Sequence, residues 1–391
     1  MTSSRYAWIP DHHLAVAATL AHADEVIAEA ADVLFDYQRQ PDGIVRLGEV
    51  PMGAYSQTVV TGVAPIPRKV PLLVADALVA LRNALEHTLF AEIEHRDGTL
   101  NEKAAKLVEM PAARTYADFE AWVNKRAKNG PPLLRRGSEL LRRIEILQPF
   151  HRTKHPQDHP LALLALHTNH SKHRAPAITA VRLAAMYRED MMPRSVGELE
   201  RRPEVPLRVG EVIAHTPRGT EIPVTLFPTI GINRPGTDRW PVLMKELDEL
   251  ATWVRAQAVP RLITGIDPPL PTLPTRYEIA RGNDDERSAL SKGSTVSAAR
   301  LNSDRIGAAS ARSDMVETIG QMDKAPSAEQ IAAWLDSLSD QQILGRMRQL
   351  TMSPTYDPNV VLRNYEVLVA MRDDARHFAE VDAPVADQTR E

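Results

Sequence analysis

The chain has no cysteine among its 391 residues. That excludes disulfides, thiol nucleophiles and thiolate metal centres. No apolar run approaches the roughly 20 residues of a bilayer span. The opening stretch MTSSRYAWIPDHH lacks the apolar core of a secretory signal, so a cytoplasmic protein with no membrane partner is expected. The net charge is only −4, which gives no overall electrostatic case for nucleic acid. Glycine is outnumbered by proline, 18 to 30, and the prolines cluster between periodic stretches, so many segment ends are legible. At 43% apolar and 25% charged, the chain can bury a substantial core.

The stretch around which the rest is organised is PLLVADALVALRNALEHTLFAEIEHR, residues 71–96. Pro71 suits a first helical turn, and the interior is rich in Ala and Leu. Val74, Leu78, Leu81, Leu85 and Leu89 form a core-facing stripe. Before it, residues 11–40 place Val16, Leu20, Ala23, Ile27, Ala30, Leu34 and Tyr37 at alternating steps of four and three, a seam for a second long helix. Between the two, residues 43–63 alternate as a β-hairpin. Long helix, hairpin, long helix predicts an antiparallel pair with a small sheet at one end.

Further along, a short helix is predicted at 116–127. A basic amphipathic helix is predicted at 134–147, with Arg135, Arg136, Arg142 and Arg143 as the most cationic surface. A helix starting at Pro160 runs into His167, Asn169, His170, Lys172, His173 and Arg174. Residues 207–215 and 221–232 predict a second hairpin around Thr216-Pro217-Arg218-Gly219. A helix with Leu243, Leu247, Leu250 and Val254 on one side is predicted to end before Pro260. Ser327 with Gln330, and Ser339 with Gln342, fit capping boxes, and Asp357-Pro358 opens a last helix. These elements make an α+β protein, mainly α. A helical core spans 1–200, a β-hairpin plus helix 201–265, a flexible Pro/Ser/Ala-rich linker 266–325, and a C-terminal helical module 326–391.

Within 82–87 the organising helix carries Arg82, Asn83, Glu86 and His87, an unusual gathering for a helix that only packs. The spacing R-N-A-L-E-H resembles the signature of HEPN domains, in which an Arg and a polar residue precede a His on a helical bundle. The resemblance implies a homodimer whose paired motifs share a cleft, and metal-independent ribonuclease activity of the kind found in toxin and antiviral-defence systems. DALVALRNALEH, ILQPFH and HPLALLALHTNHSKHR also resemble, in the same order, a set of uncharacterised bacterial proteins frequent in actinobacteria. Those carry DALHNLRSALDH, LQPY and DKHR. Here Ser171 stands in place of the Asp of DKHR, and Val79-Ala80 replace His-Asn. That set has no established activity to carry over.

For RNA cleavage, His87 would act as acid or base and Arg82 would clamp phosphate. Asn83 would fix the imidazole or touch phosphate. Lys172, His173, Arg174, His170 and Asn169 would bind substrate if their helix approaches Arg82. No cofactor and no metal are expected. The histidines of HTNHSKH match no standard ligand spacing and have no neighbouring carboxylate. Two readings remain beside the nuclease. One is a non-catalytic homodimeric scaffold, with Arg82 paired to Glu86, Asp76 or Asp97 and a protein partner on the C-terminal helices. The other is a small-ligand-binding regulator using the 167–174 cluster.

Overall fold

The computed structural model describes residues 5–191, 199–220, 222–265, 267–351, 353 and 357–381. Residues 192–198 of the expected core and 382–391 of the expected C-terminal module lie outside the described residues, as do 1–4, 221 and 266. In order, the chain forms α1 (Leu14–Gln38), β1 (Val45–Met52), β2 (Tyr55–Val63), α2 (Lys69–Asp97), α3 (Glu102–Ala105), α4 (Tyr116–Arg126), α5 (Glu139–Ile146) and α6 (Pro160–His173). There follow β3 (Thr179–Arg188), β4 (Glu200–Arg201), β5 (Val212–Pro217), β6 (Val224–Ile232), α7 (Leu243–Trp253), α8 (Val259–Thr264) and α9 (Glu286–Ser291). The last elements are α10 (Ala298–Gly320), α11 (Ala328–Ser337), α12 (Asp340–Met347) and α13 (Pro358–Val381). The protein is α+β and dominated by helices.

Two compact units are formed. One comprises Met1–Ala184, Arg202–Thr220 and Phe227–Arg300; the other comprises Ala185–Arg201, Glu221–Leu226 and Leu301–Glu391. The first is built on the antiparallel pair α1 and α2. The periodic seam of α1, from Val16 to Tyr37, is buried, and so are Val74, Leu78, Leu81, Leu85 and Leu89 of α2. Cross-helix bonds run from His13 to Glu92 (3.1 Å) at one end and from Thr19 to His87 (3.2 Å) further in, which fixes the antiparallel sense. β1 and β2 pair antiparallel, with the tight loop at Gly53, whose φ of +70° is the left-handed region that favours glycine.

The 207–215/221–232 hairpin does not form. β5 pairs antiparallel with β2, from Tyr55↔Pro217 to Val59↔Val212, while β6 lies beside β3 in a second sheet of order β4–β3–β6. Both strands are drawn to longer partners, and β3, at 179–188, carries no turn signal that sequence reasoning would catch. Pro260 does not stop its helix either. A π-helical turn at Val254–Ala258 leads without a break into α8, and this local widening admits Pro260, which lacks an N–H, in the first turn of α8. The expected basic helix starts late, at Ser138, which caps α5 (Leu141 N to Ser138 Oγ, 3.1 Å). Arg143 is not surface. It is buried and donates to the carbonyls of Leu262 (3.0 Å) and Ile263 (2.7 Å).

Of the stretch expected to be a flexible linker, 266–325, the described residues 267–325 include α9 and α10 and pack into the fold. Leu273, Tyr277, Leu290 and Ala298 join the core of the first unit. Asp24, buried on α1, holds this segment. It accepts from the Ala298 amide at the start of α10 (3.0 Å) and from Arg276 Nε (2.6 Å). Composition suggested disorder because the anchor lies on the other end of the chain. In the second unit, Met315, Ile319, Ile331, Trp334, Leu335, Ile343 and Met371 form a separate apolar core. Both capping boxes are present there.

Candidate functional site

A cleft of about 490 Å³ is lined by residues of α2, α4, α6 and the segment before α4, among them Arg82, Arg114, Trp122 and Asn169. Its floor is the segment Met110 to Ala113, clamped from both sides. Glu86 Oε2 accepts the Met110 amide (2.8 Å) and Glu86 Oε1 holds Arg82 Nε (2.8 Å). Arg82 Nη2 in turn donates to the Met110 carbonyl. Burial pushes the Glu86 carboxyl up, and the Arg82 cation with the Met110 amide pulls it back, leaving it above the usual carboxylate range. From the other side, the buried Gln148 accepts the Ala113 amide (3.0 Å) and donates to the Ile144 carbonyl (2.9 Å).

The wall on α4 is set by Arg126, 1% exposed. It donates to the carbonyls of Leu107 (2.7 Å) and Trp122 (3.0 Å) and to Glu109 (2.7 Å), with its guanidinium 3.8 Å from the centre of the Trp122 ring. The opposite wall, on α6, is made of Ala162, Ala165, Leu166 and Asn169. Arg114 is exposed at the cleft and makes no hydrogen bond or ion pair among the described residues.

Two donors on these walls are unsatisfied. Arg82 Nη1 and Trp122 Nε1 are buried and meet no protein acceptor. A buried N–H without a partner is costly, and both of these lie beneath the cleft surface, on residues whose other atoms line it.

The sequence-predicted residues part company here. Arg82 and Asn169 line the same cleft, so α2 and α6 do meet. His87 is not among the lining residues; it is exposed, with Nδ1 3.2 Å from Thr19 Oγ1 of α1. Five residues turn a helix through about 500°, which sets Arg82 and His87 well apart around α2. Asn83 is partly exposed. The ion pair of Arg82 with Glu86 is the one weighed for the non-catalytic reading. At the end of α6, Lys172, His173 and Arg174 are exposed and His170 is partly so.

His167 turns inward instead, where its Nε2 lies 3.5 Å from Glu246 of α7. Glu246 also takes two bonds from Arg234 (2.9 and 2.8 Å), and Arg234 reaches Asp158 (2.9 Å). Burial raises the Glu246 carboxyl, but His167 and Arg234 outweigh it and hold it down at about 2.

Sequence reasoning missed Trp122, Arg114 and the 110–113 floor. The available signal was the order of motifs: LRNALEH supplies Arg82 and Glu86, LQPFH supplies Gln148, and the α6 stretch supplies Asn169, all around one floor. It also missed a group at the far end of α1. His12, His13 and Glu92 bring ligand atoms within 4.8 Å of one another. Compared with known proteins, the chain matches no family profile, no curated protein and no solved structure.

Proposed function

We propose that this chain is a ligand-binding protein that works through the cleft between α2, α4 and α6. The ligand is a small molecule bearing a carboxylate or phosphate. The observation that carries this reading is Arg114, an exposed guanidinium with no hydrogen bond or ion pair among the described residues, at a cleft that Arg82 also lines. The volume suits a small organic molecule, the Ala and Leu wall supplies apolar contact, and the uncommitted Arg114 adds charge at the cleft. The test is a thermal-shift and tryptophan-fluorescence screen of purified protein against carboxylates, phosphate and nucleotides. A hit should raise the melting temperature in wild type, and Arg114→Ala should weaken binding about tenfold, the loss of one ion pair. If no anionic compound stabilises the protein at millimolar concentration, the reading fails.

A second reading, binding or metal-independent cleavage of RNA by a HEPN-like homodimer acting in defence, is favoured by the exposure of His87 and of Lys172, His173 and Arg174. In this reading the partner subunit completes the cleft, because His87 and Arg82 diverge within one chain. RNA nicked in EDTA by wild type, and left intact by folded Arg82→Ala and His87→Ala variants, would support it. Intact RNA at high wild-type concentration would eliminate it.

A further inference from the structure

The N-terminal end of α1 carries chemistry that the cleft does not use. His12 and His13 sit in the short turn that opens α1, and Glu92 lies opposite on α2. Glu92 Oε2 is 3.1 Å from His13 Nε2 and 3.6 Å from His12 Nε2. The second distance is too long for a hydrogen bond. His12 Nε2 is buried and has no hydrogen-bond partner. His13 is fully buried and Glu92 is 3% exposed.

We infer that His12 Nε2, His13 Nε2 and Glu92 Oε2 are a binding site for a divalent first-row transition metal, zinc by preference. Metal–ligand bonds of about 2.0–2.2 Å place neighbouring ligand atoms roughly 3–3.5 Å apart. Of the separations to Glu92 Oε2, 3.1 Å lies within that range and 3.6 Å just above it. Two imidazoles and one carboxylate suit zinc or ferrous iron. They do not suit calcium or magnesium, which take oxygen ligands.

The surroundings support the ligands. The other carboxylate oxygen, Glu92 Oε1, is held by Arg96 and lies 3.6 Å from Arg143 Nη1, so Oε2 stays ionised and turned to the histidines. The exposed ring of His95 stacks on His12 at 3.9 Å between centroids and 13° between planes, fixing the imidazole. His12 keeps 24% of its side chain open to solvent, which sets the site close to the surface. His13 Nδ1 has no acceptor and two guanidiniums lie close, so the ion is exchangeable rather than permanently locked in.

The test uses the full chain, stripped with a chelator and titrated first with Co²⁺ and then with Zn²⁺. About one equivalent of Co²⁺ should bind with visible d–d bands that Zn²⁺ bleaches, and Zn²⁺ should raise the melting temperature. His12→Gln removes a ligand that bonds to nothing else, so it should stay folded by circular dichroism. It should also lose at least about tenfold in affinity. His13→Gln should behave alike, but if it unfolds, His12→Gln carries the test. A His170→Gln/His173→Gln double variant should bind as wild type. Absence of the cobalt bands in wild type overturns the site, and so does binding that survives His12→Gln but is lost in the α6 variant.

Discussion

Glu86 accepts the amide of Met110 with one carboxylate oxygen and holds Arg82 with the other, while Arg82 donates to the carbonyl of the same Met110. This closed ring of polar contacts fastens the cleft floor to α2. Glu86→Gln removes the charge that pairs Arg82 and weakens the grip on the Met110 amide. The loss expected in urea unfolding is about 1–3 kcal/mol, below the range for a fully buried pair because both side chains keep some solvent contact. An unchanged midpoint and slope would show that the floor is held by Gln148 alone.

Acid should weaken the first unit over two pH windows. The first involves His159, which caps α6 by accepting the Leu161 amide at Nδ1 (3.2 Å). Burial, with Arg152 and His151 nearby, holds its imidazole down at about 4, from an ordinary 6.5. The unfolded chain takes up that proton near 6.5 and the fold refuses it until about 4. Stability is therefore complete above the upper value and falls as pH drops between the two. Partial exposure limits the effect to about 1–2 kcal/mol. His159→Asn keeps a capping acceptor without a titrating ring, and it should flatten the melting temperature over this window.

The second window belongs to Glu246. Its carboxyl is held at about 2 in the fold against an ordinary 4.5, so its contribution is complete above 4.5 and is lost as pH falls towards 2. The contribution is at most about 3 kcal/mol. Glu246→Gln takes the carboxylate from beside His167 and leaves Arg234 to Asp158, costs about 3 kcal/mol at neutral pH, the low end for a broken buried pair, and should remove the lower acid step from a pH series of chemical denaturations.

In the second unit, Ser327 and Ser339 each accept the amide three residues on, from Gln330 and Gln342, both at 3.3 Å. Ser327→Ala and Ser339→Ala should each cost about 1 kcal/mol, and the double variant about the sum. Far-ultraviolet circular dichroism through urea unfolding checks both. A cost confined to one serine would mean that only one helix start limits this unit.

What the sequence discloses follows from the range of the forces involved. The seam of α1, the stripe of α2, the 43–63 hairpin and both capping boxes are local patterns, written within a few turns of chain. The fate of 266–325 depends on Asp24, more than two hundred residues upstream, and no window on the linker itself contains that carboxylate. β5 and β6 each read as strands, yet choosing β2 and β3 as partners is a decision between distant edges. At the cleft, Arg82 and Asn169 were visible as polar residues on apolar helices. Trp122 was not, because a tryptophan on a short helix reads as packing until its indole N–H is found without an acceptor. The pairing of His12 and His13 with Glu92 was hidden for the same reason: α1 and α2 must first lie antiparallel before those residues meet.

The tether between Asp24 and the residues at 276 and 298 also bears on how the chain can be shortened. Ending it at residue 265, where proline-rich composition invites a cut, would strip Leu273, Tyr277 and Leu290 from the first unit and strand a buried carboxylate without its counter-charge. Ending it after Arg300 keeps those residues, but it cuts α10 in its first turn and leaves 185–201 and 221–226 without the rest of their unit, so no single cut separates the two units.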